Sequence, residues 1–232
     1  MIRDYGVAAA TIASVLERDF SIEPFLVAFH FCRDARALEA ALLETGYPSA
    51  LARDTARRMH GVGGYRRVFI NESAFAARPW PERVASMAHE IVHSLQYEWG
   101  GAQRGASDQW LREGFAEWLS LRVMDRLGDT PFERARRQYV SALRRTRQSR
   151  APRLDEMATF PQWVALAERR DIAPYPQAFL SVDFLVQRHG FAAAVDYFKR
   201  FARVQDRAGN FRAAFGEDLE AFERALEERL WR

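Results

Sequence analysis

Residues 87–99 read MAHEIVHSLQYEW, with His89 and His93 four apart and Glu90 directly after the first histidine. On an α-helix, positions i and i+4 share a face one turn apart, so both imidazoles can point at one metal ion. Glu90 would then project beside that ion rather than onto it, where a carboxylate can take a proton from an activated water. The chemistry in view is hydrolysis, and it needs one more protein ligand. Catalytic zinc has three, with a fourth position left to water.

The positions that could supply the third ligand narrow quickly. A histidine six residues beyond His93 would complete one known arrangement, but Trp99 stands there, and Gln96 stands where that arrangement has glycine. Glu98 is too close on the same helix to swing round to the metal. A carboxylate from the next helix remains, and the segment WLREGFAEW (110–118) offers Glu113, with Glu117 one turn further on the same face. Nineteen residues separate His93 from Glu113.

HEIVH followed by WLREGFAEW resembles the gluzincins, the zinc peptidases that include thermolysin and the aminopeptidase N group, and most of all their small bacterial peptidase MA-like domains. The resemblance implies a zincin-like fold and one Zn2+ per chain held by His89, His93 and Glu113. It implies that Glu117 accepts a hydrogen bond from the far nitrogen of His89, fixing the tautomer of a ligating imidazole. PYPQAFLSVDFLVQRHG (174–190) is similar to the tyrosine-bearing helix of the family, which makes Tyr175 the donor to the oxyanion. FRAAFGEDLEAFERAL (211–226) is similar to its closing helix, so the likeness runs from about residue 65 to the end. The spacing of nineteen follows thermolysin, and no upstream segment equivalent to the amine-gripping one of the aminopeptidases is present; Glu72 stands in different company. An endopeptidase is therefore expected ahead of an aminopeptidase, with a peptide or protein as substrate.

These residues need elements to hold them. PFLVAFHFC (24–32) and YRRVFINES (65–73) read as strands, and ARALEAALLETG (35–46) as a helix stopped by glycine. HGVGG (60–64) reads as a loop, without the lysine and hydroxyl of a phosphate loop. The strand near Tyr65–Ile70 is expected to offer an edge to an extended peptide. From Pro81 the pattern turns helical, with Val84, Met87, Ala88, Ile91, Val92 and Leu95 on one face as far as about Tyr97. A second helix is expected from a Ser107 cap to Gly128, and a third from Thr130-Pro131 with Glu133 closing a capping box. Others should cover 177–188, 191–202 and 218 to the end. The expectation is an α+β fold over 1–232. A small sheet lobe with the HExxH helix (1–100) precedes a mainly helical lobe (101–232), and that helix lies between them.

The rest of the composition sets limits. No window approaches the eighteen apolar residues of a membrane span. The first twenty residues run into Glu17, Arg18 and Asp19 without a cleavage site, so no signal peptide is read and a cytoplasmic location is favoured. Cys32 is the sole cysteine and is expected to be buried. His30 and His60 are left unassigned, and His189, at a helix end, is assigned to the dipole rather than to metal. The net charge of +3 is carried almost wholly by arginine, crowded into FERARRQYVSALRRTRQSR (132–150). That helix could contact nucleic acid or an acidic partner, but no recognition signature accompanies it, and a solvated face is the plainer reading. A second rival, a gluzincin-like domain that binds zinc only to interact or regulate, leaves Glu90 without a task. Nothing in the sequence sets the oligomeric state.

Overall fold

The computed structural model describes residues 4–146, 151–169 and 171–231. Asp4 caps the first helix, α1 (Tyr5–Phe20), by accepting from the Val7 amide at 2.9 Å. Strand β1 (Ala28–Cys32) follows, then helices α2 (Ala35–Glu44) and α3 (Ser49–Arg58), strands β2 (Gly61–Gly64) and β3 (Arg67–Asn71), and short α4 (Glu72–Ala76). The motif helix α5 is Trp80–Trp99 and the next, α6, is Gln109–Arg126. After α7 (Phe132–Arg144) and a single 3-10 turn at Asp155–Met157 come α8 (Phe160–Ala167) and α9 (Pro174–His189). The chain closes with α10 (Phe191–Arg200), α11 (Arg207–Phe215) and α12 (Leu219–Trp231). The described chain is mostly helical with one small sheet, in keeping with α+β.

The sheet has the order β1-β3-β2, with β1 parallel and β2 antiparallel to β3. Alternation along β3 sends Val68 and Ile70 to one side and Phe69 to the other. Val68 and Ile70 join the main core with α1 and α5, while Phe69 packs with Cys32, Leu38, Leu42, Ala52 and Ala56 under α2 and α3. Cys32 is buried there as expected. The main core runs on without a break from Ala8 to Leu226, and α5 passes between the sheet and α6.

Four local expectations are corrected. HGVGG contains a strand, because the glycines let β2 pair with β3 while lying directly against α5. The strand over Tyr65–Ile70 is consequently the sheet's centre, paired on both sides, and the edge beside α5 belongs to β2. At α7, Thr130 forms no capping box; its hydroxyl goes to Asp129, and the Phe132 amide is met instead by Asp125 Oδ1 at 3.1 Å. The α6 terminus moves by one residue for a similar reason. Ser107 Oγ accepts from Arg112 Nη1 at 3.3 Å, and Asp108 occupies the cap position with its carboxylate turned to Tyr197 Oη at 2.6 Å. Of the arginine-rich stretch, residues 147–150 lie outside the described residues.

Candidate metal centre

His89 and His93 sit one turn apart on the buried face of α5, and α6 crosses that face to deliver Glu113. The three side chains come together as the motif spacing suggested. His89 Nε2 and His93 Nε2 are 3.1 Å apart, and each is 3.6 Å from a carboxylate oxygen of Glu113. His89 faces Glu113 Oε2 and His93 faces Oε1, so the carboxylate straddles the two imidazoles. Ligands about 2.0–2.1 Å from a tetrahedral zinc stand about 3.3–3.4 Å from one another, close to these separations.

The protons are fixed by the surroundings. Glu117 Oε2 lies 3.1 Å from His89 Nδ1, and an ionised carboxylate can only accept, so Nδ1 carries the hydrogen. Gln96 uses its amide nitrogen on the Arg112 carbonyl at 2.9 Å, which leaves its oxygen to accept from His93 Nδ1, also at 2.9 Å. With Nδ1 held as the donor on both rings, both Nε2 atoms face the same point, where a cation would displace the second proton of His89, and Glu113 is the third donor there. A cation satisfies that arrangement, and the residues present fit zinc.

A further ring holds these partners. Tyr139 on α7 donates its hydroxyl to Glu117 Oε1, and Gln109 Nε2 donates to Glu113 Oε1 at 2.7 Å. Burial alone would push the Glu113 and Glu117 carboxyls up, but the histidines beside them outweigh it and hold both below the usual carboxylate range. Burial would likewise lower His89, yet its hydrogen bonds to Glu113 and Glu117 hold the ion-free imidazole well above its ordinary value.

Glu90 turns toward β2, where its Oε2 accepts from the Gly63 amide at 2.7 Å. This contact requires glycine: a Cβ on Gly63 would lie 2.5 Å from the Glu90 carbonyl oxygen and 2.6 Å from His93 Cβ. The β2–β3 register, with the Asn71 amide on the His60 carbonyl at 2.9 Å, turns the peptide groups of Gly61 and Gly63 away from β3 toward this side.

Tyr175 begins α9 and lines the same cleft, its ring edge-on to Trp163 at 4.8 Å. Burial, with Glu113 next, pushes its hydroxyl far up, so it stays a donor. The approach of α9 depends on the glycine after the ligand, because a Cβ on Gly114 would stand 2.3 Å from the Ala178 carbonyl oxygen. The cleft encloses about 640 Å³, a size suited to a few residues of peptide.

None of the other histidines joins the three-residue cluster, although His60 lines the same cleft. His189 pairs with Glu217 Oε1 at 2.7 Å, His60 lies against Arg78, and His30 stacks on Phe69. Gln109 and Tyr139 were not singled out in the sequence, and Gln96 and Gly63 were noted there only as a missing glycine and as part of a loop. Gln96 alone left a local sign, three residues after a ligand on the same helix face. Comparison with protein-family models, curated proteins and solved structures finds nothing that matches this chain.

Proposed function

We propose that this protein is a zinc-dependent metallopeptidase of zincin-like fold that hydrolyses peptide bonds, with His89, His93 and Glu113 holding one Zn2+. The observation that carries the reading is the convergence of two imidazole lone pairs and one carboxylate at tetrahedral spacing, with Glu90 beside them in an open cleft. When bound, the ion supplies a water whose pKa falls to about 7 and polarises the scissile carbonyl. Glu90, steadied at Oε2 by Gly63, takes a proton on its other oxygen and returns it to the leaving amine. Tyr175 donates its hydroxyl to the oxyanion as the carbonyl carbon becomes tetrahedral. Glu117 keeps His89 in its Nδ1–H form throughout. The outward peptide groups of β2 other than the Gly63 amide, which Glu90 holds, offer backbone partners to an extended substrate, in place of the strand first expected to do so. An endopeptidase is favoured over an aminopeptidase.

The test is metal content by mass spectrometry beside cleavage of a peptide library, for wild type, Glu113→Ala and Glu90→Gln. One zinc per chain is expected in wild type and Glu90→Gln, with zinc lost from Glu113→Ala. Cleavage should fall by roughly 10²–10⁴ in Glu90→Gln, the usual contribution of a positioned proton carrier. Wild type that takes up no zinc on reconstitution overturns the reading. Zinc uptake with undiminished cleavage in Glu90→Gln removes Glu90 from its role.

A further inference from the structure

Arg112 is 3% exposed and yet lines the cleft. Its recorded hydrogen bonds leave from Nη1 alone, to the Arg104 carbonyl at 2.9 Å and to Ser107 Oγ at 3.3 Å, and its guanidinium lies 5.4 Å from the centre of the Tyr97 ring. No carboxylate among the described residues forms an ion pair with it. The acidic groups close to it are engaged elsewhere. Asp108 is held by Tyr197 and Arg207, and Glu113 by Gln109 and the histidines. A guanidinium keeps its charge at neutral pH. A buried charge without a counter-ion is strongly unfavourable, so an anion that reaches Arg112 from the cleft would relieve that cost.

A second cation stands beside it. Arg104, exposed on the loop between α5 and α6, lines the same end of the cleft, with its guanidinium 5.4 Å from the centre of the Phe160 ring. It too forms no ion pair among the described residues. Arg104 donates through Nη2 to Gln109 Oε1, and Gln109 donates to Glu113, so one amide side chain separates this guanidinium from a metal ligand. That is about the reach of one or two residues of extended peptide, at about 3.3–3.6 Å each. The opposite end of the cleft has a different character, since Arg78 there is already paired with Glu82 at 3.3 Å.

We infer that the end of the cleft beside Tyr97 is a carboxylate-binding subsite built on Arg104 and Arg112. It takes the C-terminal carboxylate of a peptide, or an acidic side chain, within one or two residues of the bond that is cut. Planar guanidinium groups match a carboxylate in two-point contact, and desolvation around Arg112 strengthens that contact. The inference rests on the metallopeptidase reading only in making the carboxylate part of the substrate.

The experiment uses zinc-loaded Glu90→Gln protein and three probes followed by titration calorimetry: N-acetyl-Ala-Phe-Leu-Ala with a free carboxylate, its C-terminal amide, and amidated N-acetyl-Ala-Phe-Leu-Glu. Zinc is counted on the same samples, and the titrations are repeated on metal-free wild type. The free acid or the glutamate peptide should bind at least about tenfold tighter than the neutral amide, with the advantage lost when Arg112→Gln or Arg104→Gln is added. An advantage confined to the free acid identifies the chain terminus as ligand, and one shared by or confined to the glutamate peptide identifies a side chain. Equal affinity for all three probes, or no binding by a sample that holds zinc, overturns the subsite. A sample that holds no zinc overturns the peptidase reading instead, and the acid preference is then judged on the metal-free titration. Arg104 is exposed, so Arg104→Gln keeps the test decisive even where Arg112→Gln fails to fold.

Discussion

At His89 and His93, what faces the proposed metal position is set by what holds the other nitrogen. Glu117 and Gln96 hold both Nδ1 hydrogens, and Tyr139 in turn holds Glu117. Removing such a support typically costs about 10–100-fold in metal affinity, because the imidazole is then free to rotate or change tautomer. Gln96→Ala should therefore weaken zinc binding by about that range, and Tyr139→Phe by about tenfold, in competition against a chelator. Affinity unchanged in both variants would show that packing alone orients the rings. The cluster of His89, His93 and Glu113 was legible in the sequence through one turn of helix and then a carboxylate in the company of a recognisable motif. Tyr139 was not, since it reaches the site from α7, twenty-two residues beyond Glu117, and only tertiary packing brings the two together. Arg112 was hidden for another reason. In a chain with this much arginine, one more is silent until its burial, and its lack of an ion pair among the described residues, are seen.

At the scale of elements, α5 and the buried face of α6 were readable from their apolar spacing, whereas β2 was not. Its four residues, GVGG, have poor strand propensity, and they form a strand because β3 supplies the pairing and α5 demands a backbone without side chains. Helices α1, α3, α8 and α11 were not read; α3 buries only Ala52, Thr55 and Ala56, which gives no periodic signal of large apolar residues. Close approach governs the α6–α9 contact as well. Gly114→Ala must push α9 away from α6, which is expected to destabilise the fold by about 3 kcal/mol. In thermal unfolding the midpoint should fall by roughly 6–12 °C for a chain of this size. A midpoint within a degree of wild type would mean that the two helices separate without cost.

Across the whole molecule, the start of α6 is tied to the C-terminal helices through Asp108. Its side chain is 1% exposed, accepts from Tyr197 at 2.6 Å, and has Arg207 Nε at 3.3 Å from an Oδ1 that lacks an aligned donor. Burial raises its carboxyl from 3.8 to about 6. Below about pH 4 both folded and unfolded chains hold this proton, and the contribution of Asp108 is complete. Between about 4 and about 6 only the folded chain holds it, so stability attributable to Asp108 falls as pH rises through that window, by up to about 3 kcal/mol. Glu113 and Glu117, held low, act in the opposite sense. The effect is therefore read as a difference: urea unfolding of wild type should lose ground to Asp108→Asn between pH 4 and pH 6, and a constant difference would refute it. The same tie also bears on the order in which the molecule is made. Every proposed zinc ligand has left the ribosome once residue 113 emerges, yet α9, which α6 packs on, and Tyr197 and Arg207, which secure Asp108, come sixty to ninety-odd residues later. During synthesis the chain thus carries its ligands well before it has the means to aim them, and a truncated product keeps the HExxH motif without the frame that makes it a site.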